Sequence, residues 1–459
     1  MKNNSGIMTK IKHFKEIFKD KRTYEIFKSV IIWILCLTNW KQWDLANVWW
    51  KSLWQIQYFF SKSKWDFKVL NNLRVRWIRN KIWWARDKIS NILIFDWSIF
   101  TKNKSSKFWW LTSFMFSNRD KKVVNGLELF WASIYTKSGL KYVLELSIFQ
   151  KWKQKREKFS HLNHAWRIFM MKTIKKTKSW LVVLDSGFKW ANMCKWIFQN
   201  QMRHFLVRIW EWQKFIDKNG DEFKISELLL KSTAMYFPNW RMWVFKNVLL
   251  KSWKNKWVNV CVNIIVFHKN GPKKPSVLVT SADLEDVYEN MIRKKWEVSW
   301  KEKLKEFDEN NSKKLIKWNE INRIYICFSE LYGKRWSIEE CFKELKSYFC
   351  FENFRVQSYD AIMKYLHVAL LVHTLLYIML YSITQNKNSF NFIYNLLEEK
   401  RNIKNIENKF KKITIMWLKL FIEMMFQTWF VWNIKKKHKK TLPELLKSRV
   451  CLKSSLTLN

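Results

Sequence analysis

Two short runs of branched apolar residues constrain this chain most, Ile92-Leu93-Ile94-Phe95 and Leu181-Val182-Val183-Leu184. Each is closed by an aspartate, Asp96 and Asp185, and Ser186-Gly187 breaks the second run at once. Runs of this length and composition read as buried strands. A single aspartate at such a strand end is ordinarily a turn residue, so the pair gains meaning only from further groups that join it.

Those groups stand near Glu339. Tyr332, Arg335, Glu339 and Lys346 follow one another at spacings of three, four and seven. On a helix of 3.6 residues per turn this places four side chains on one face. A carboxylate flanked by a phenol and two cations suits a metal-bound phosphodiester. The Glu can hold the metal, and the cations and hydroxyl can hold phosphate oxygens. The plainer alternative is an amphipathic helix with a charged stripe.

The pattern Tyr-x2-Arg-x3-Glu-x6-Lys, with Arg335-Trp336-Ser337-Ile338-Glu339 and Phe342-Lys343-Glu344-Leu345-Lys346 around it, resembles the signature of the DDE transposases of bacterial insertion sequences, specifically the insertion-sequence-four group. The second aspartate, in Asp185-Ser186-Gly187-Phe188, sits in a context similar to that family's. A helix candidate (190–201) and the strand candidate Phe205-Leu206-Val207-Arg208 follow it in the family's order. The resemblance implies an α/β (α+β) fold: an RNase H-like mixed sheet flanked by helices, interrupted by a β-rich insertion, with helical N- and C-terminal regions. It implies Asp96, Asp185 and Glu339 as catalytic metal ligands. Tyr332, Arg335 and Lys346 would bind phosphate, and Arg208 would contact the DNA backbone. The implied cofactor is Mg2+ or Mn2+, two ions serving the attacking and leaving oxygens of an in-line displacement. Three carboxylates brought together without metal would raise one another's pKa. The implied partners are DNA, as element ends and target, and a second copy of the chain in a homodimer on that DNA. The implied location is the bacterial cytoplasm, at the nucleoid.

Composition agrees with a polyanion partner. Lys and Arg number 85 against 38 Asp and Glu, a net charge of +47. Each phosphate neutralised would release counterions, although a Lys- and Asn-heavy chain is also what an AT-rich genome produces. The seven Cys show no Cys-x-x-Cys pair and no Cys/His ligand spacing, and read as reduced thiols. His161 and His164 read as surface residues of a basic helix, not as a metal pair. No phosphate-cradling Gly-Lys-Ser/Thr loop is visible, so a nucleotide cofactor has no support.

The chain has 32 Trp and only 7 Gly, where about 7% Gly is usual and Trp is rare. Several Trp stand where turns are expected, in Trp210-Glu211-Trp212, Asn239-Trp240-Arg241-Met242-Trp243 and Ser252-Trp253-Lys254-Asn255-Lys256-Trp257. Turns need residues that accept positive φ, which Trp does not do readily. The reading is that UGA codons were translated as Trp in a gene whose host reads them as Gly. A Trp-rich surface stacking nucleic-acid bases is the rival. A gene in which most of these codons are UGG would exclude the first.

Six regions are expected. Residues 1–88 form a basic helical region, to which the resemblance gives DNA-end binding. Residues 89–210 carry the first part of the catalytic core, with strands at 89–100, 127–136, 142–149, 180–185 and 204–209 and a helix at 158–175. Residues 211–282 form the β-rich insertion, with strands at 215–225, 242–250, 258–268 and 276–280. Then come a charged helical connector (283–320), the second part of the core with the Glu helix (321–384) and a basic helical C-terminal region (385–459). The apolar stretch 361–383 could cross a membrane on length alone. Its favoured reading is a helix buried under the catalytic sheet, with no membrane partner. A metal-dependent nuclease without strand transfer, a degenerate copy and a basic membrane-associated protein are the alternatives.

Overall fold

The computed structural model describes residues 10–36, 53–84, 91–101, 112–117, 122–136, 141–149, 177, 179–185, 193–195, 197–198, 203–211, 213–216, 220–231, 235–237, 240–251, 257–269, 275–282, 328, 331–349, 351 and 358–384. The helix expected at 158–175, with His161 and His164, lies outside them, as do the connector 283–320 and the region 385–459. The protein divides into two compact units, Met1–Ile78 with Cys341–Asn459, and Arg79–Glu340.

The first unit is helical. Helix α1 (Lys21–Cys36) opens on Asp20, whose carboxylate accepts the Thr23 backbone N–H at 2.6 Å and the Thr23 hydroxyl at 2.6 Å. This N-cap satisfies a donor that the helix itself cannot pair. Ile26, Phe27, Val30, Ile31 and Ile34 recur on one buried stripe. Helices α2 (Leu53–Ser61) and α3 (Phe67–Trp84) follow.

The strand candidates of the second unit form one 12-stranded sheet. Its members begin with β1 (Ile92–Thr101), β2 (Ser113–Ser117), β3 (Lys122–Tyr135), β4 (Lys141–Ile148), β5 (Leu181–Leu184) and β6 (His204–Ile209). β3 pairs antiparallel with β1 and β4, while β5 runs parallel to both β1 and β6. The order β4-β3-β1-β5-β6 is thus a mixed sheet, consistent with the RNase H-like arrangement. Every residue of β5 is buried, as a central parallel strand covered on both faces requires. At Gly126 of β3 an added Cβ would lie 2.6 Å from the Phe100 carbonyl oxygen and 2.9 Å from Ile99 Cγ2. Glycine is what allows the two backbones to approach there.

The later strands extend the same sheet. β7 (Lys214–Ile216) and β8 (Glu222–Lys224) make a hairpin, and helix α4 (Ile225–Lys231) follows directly. The single strand expected over 215–225 is therefore wrong. Gly220, at φ 89, takes a turn conformation that L side chains rarely adopt. β9 (Met235–Phe237), β10 (Trp240–Lys251), β11 (Trp257–Lys269) and β12 (Ser276–Thr280) complete the set. The turn expected at 239–243 is instead the start of β10, whereas the turn between β6 and β7 at Trp210-Glu211 is present. β12 pairs with β6 on one side and β11 on the other.

Helices α5 (Trp336–Tyr348) and α6 (Tyr359–Thr384) close the described chain. Over Tyr359–Leu380, α6 is long and apolar enough to cross a membrane, but 94% of its apolar window is buried within the protein. Within its own unit it packs against α1 and α2. The polar residues inside this apolar stretch have specific partners. Lys364 donates to the Ser63 carbonyl at 2.8 Å and pairs with Asp360 at 2.7 Å. The buried Arg74 of α3 donates to Thr374 at 3.2 Å and to Asn71. The His367 ring stacks on Phe67, centroids 5.2 Å apart.

Two outcomes follow from this packing. Gly126→Ala should cost about 1–3 kcal/mol, read as a lower thermal midpoint. Burial first, then the Arg74 charge, push the His367 pKa down to about 3 from 6.5. The unfolded chain therefore takes up a proton below about pH 6.5 that the native chain refuses until about pH 3. Stability contributed by the neutral ring is lost as pH falls through this window, by up to about 1.4 kcal/mol per pH unit. Urea unfolding at several pH values should show a shallower acid slope for His367→Gln.

Candidate active site

Register assembles the site. The last partners in the β1–β5 pair are Phe95 and Leu184, and in β5–β6 they are Leu184 and Val207. The next residue on each strand is Asp96, Asp185 and Arg208. Residues in parallel register share a face, and neighbouring strands lie about 4.8 Å apart. The row grades from inside to outside: Asp96 is buried, Asp185 half-buried and Arg208 exposed.

The segment before α5 adds the remaining groups. Residues 331–333 are helical, and 334–335 form a turn before Trp336 starts the helix. Tight bonds run from Lys334 N–H to the Leu331 carbonyl, Arg335 N–H to Tyr332, and Ile338 N–H to Arg335. Tyr332 and Glu339 therefore do not sit on one continuous helix, as their spacing predicts. Gly333, a poor helix former, precedes the break. The turn still keeps Tyr332 and Arg335 together, with the guanidinium carbon 5.7 Å from the phenol ring centroid. Lys141 at the head of β4 pairs with Glu340 at 2.6 Å and ties the first turn of α5 to the sheet.

Arg335 links the acids. Its Nη1 lies 3.4 Å from Asp96 Oδ2 and its Nη2 lies 2.7 Å from Glu339 Oε1. Its side chain is 9% exposed, against 11% for Asp96 and 36% for Glu339. Asp96 also accepts the Trp97 backbone N–H at 2.8 Å. Among the described residues, the buried Nε of Arg335 has no hydrogen-bond partner.

Electrostatics agree with close approach. Burial, opposed by Arg335 and reinforced by the charges of Asp185 and Glu339, pushes the Asp96 pKa up to about 7. Burial also raises the Tyr332 phenol to about 12, with Arg335, Asp185 and Arg208 acting on it. Burial works against the Arg335 charge, but Tyr332, Asp96, Asp185 and Glu339 more than offset this and its pKa lies above the ordinary guanidinium value. Asp96, Asp185, Glu339, Tyr332, Arg335 and Arg208 thus form one neighbourhood within the second unit. Lys346 stands in the last turn of α5, in the residues counted with the first unit.

Carboxylates are the hard oxygen donors that a Mg2+- or Mn2+-type ion prefers, but the ligand atoms of Asp96, Asp185 and Glu339 do not all lie within 4.8 Å of one another, and Arg335 stands between two of them. A different set converges in the first unit, where ligand atoms of Cys341, Glu344 and His373 lie within 4.8 Å of one another. Sequence spacing did not reveal this set, because His373 reaches it from another helix. Glu344 accepts from the Tyr377 hydroxyl at 3.1 Å, and its Oε2 lies 3.0 Å from His373 Nε2. Both interactions are those of a hydrogen-bonded interior network.

Residues 160–375 match the family model of the transposase DDE domain. No curated protein matches the chain. The matched segment takes in Asp185, Arg208, Tyr332, Arg335, Glu339 and Lys346; Asp96 lies before it and is brought alongside by the sheet. Residues 160–375 are thus similar to a transposase DDE domain, which supports a DDE transposase.

Proposed function

We propose that the protein is an insertion-sequence transposase of the insertion-sequence-four group, cutting DNA at element ends and joining the freed 3′-OH to target DNA. The observation that carries this reading is the in-register row of Asp96 and Asp185, to which Arg335 ties Glu339. Asp96, Asp185 and Glu339 would hold the divalent ions. When bound, such ions would supply an activated nucleophile and stabilisation of the leaving oxygen of an in-line displacement. Arg335 and Tyr332 hold phosphate oxygens beside the acids, and Arg208 meets the backbone from the open end of the row. Lys346 is assigned the same task on the family pattern. The DNA is held by a dimer, in the cytoplasm, and the +47 charge supports that partner.

Ala at Asp96, Asp185 or Glu339 should lower Mg2+-dependent cleavage by about a thousandfold. Duplex binding in a gel shift should survive, because it rests on the cationic groups. Cleavage that persists in all three variants defeats the assignment. Cleavage without joining of precleaved ends would narrow the protein to a nuclease.

The metal-free protein should also respond to pH through Asp96. The native carboxyl keeps its proton up to about pH 7, while the unfolded one releases it near 3.8. The native state holds the extra proton between these values, so this contribution to stability falls as pH rises through that window and levels off above it. Asp96→Asn cannot ionise. Its urea midpoint should exceed that of the unmodified chain above about pH 7, and the two should converge near pH 4.

A further inference from the structure

We propose that Arg335 is the resident cation of the three-acid site: it bridges Asp96 and Glu339 until divalent ions and a DNA phosphate arrive together, then turns its fork to the phosphate. Arg335 is thus a positioning residue that couples metal loading to DNA. The proposal rests on the metal-binding reading above and adds how that site is filled.

Three observations carry it. One guanidinium spends Nη1 on Asp96 and Nη2 on Glu339, which belong to different elements, β1 and α5. A divalent ion placed at these two carboxylates would compete with the guanidinium for their negative charge. Next, the buried Nε is a donor without an acceptor among the described residues. A guanidinium has five N–H donors in a planar fork, and a phosphate can accept two of them side by side. Finally, the fork has a surface over which to move. Its carbon lies 5.7 Å from the Tyr332 ring centroid and 5.2 Å from that of Trp336, which is exposed. Both ring faces attract a cation at these distances, so a turn away from the acids does not leave the charge unsupported.

Charge sets the direction of coupling. Once Asp96 is ionised, above about pH 7, three carboxylates and one guanidinium carry two net negative charges. Two divalent ions would convert this into two positive ones in a partly buried site, where like charges are costly. Phosphodiesters bring the missing negative charge and give Arg335 a new acceptor. Metal and DNA should therefore each favour the other, by the same factor.

The test is Mn2+ binding to the full chain by calorimetry, with and without a short random-sequence duplex. The unmodified chain should bind Mn2+ weakly alone and at least about tenfold more tightly with duplex. Arg335→Ala should bind Mn2+ alone about tenfold more tightly than the unmodified chain, and most of the duplex effect should vanish. Arg335→Gln, which keeps bulk and donors but not charge, should behave likewise and serves if the alanine variant does not fold. Equal or weaker Mn2+ binding by a folded variant overturns the proposal and makes Arg335 a static clamp. So does an unmodified chain in which duplex leaves Mn2+ affinity unchanged. Asp185→Asn separates the two readings. If it leaves Mn2+ binding untouched, the three-acid site itself is wrong, whatever Arg335 does.

Discussion

Asp96, Asp185 and Arg208 stand side by side because β5 lies in parallel register between β1 and β6. A slip of one residue on β5 would turn Asp185 to the opposite face of the sheet. What resists the slip is the apolar run itself. Leu181, Val182, Val183 and Leu184 are all fully buried, and burying each such side chain is worth about 1.5–3 kcal/mol. The chemistry of the row thus depends on residues that take no part in it.

The row is unfavourable on its own. Carboxylates held close in a partly buried place repel and lose hydration, and the raised Asp96 pKa records that cost, with burial its largest cause. Arg335 offsets part of it, and Lys141 with Glu340 holds the segment that delivers Arg335 against the sheet. Site residues are placed by a rigid scaffold while remaining strained in charge, an arrangement suited to binding a cation and a polyanion.

Much of this was legible beforehand, for identifiable reasons. Strands β1, β5, β6 and β12 are dense runs of branched apolar residues, so both their existence and their aspartate or arginine punctuation could be read. β2, Ser-Phe-Met-Phe-Ser, has too few apolar residues to stand out, and its pairing with β3 is a tertiary fact. Residues 239–243 misled because Asn, Arg and Trp in succession look like a turn, yet Met242 and Trp243 are buried in a long strand. The Tyr332–Glu339 spacing correctly grouped the residues but overstated the helix, because turn hydrogen bonds at 334–335 produce the same proximity. Inside the apolar stretch, Ser63 meets Lys364, Phe67 meets His367 and Glu344 meets His373 from distant segments, so these pairings could not be read locally; only Asp360, one turn before Lys364, is a local partner.

The pairing of β12 with β6 has a wider implication. The β-rich segment is stitched by main-chain bonds to the strand that bears Arg208, so it cannot be regarded as a detachable ornament. Excising it would strip β6 of its neighbour and leave a raw, unprotected margin of peptide groups. Such margins recruit other chains, and a shortened version would therefore be prone to self-association before any question of catalysis arose.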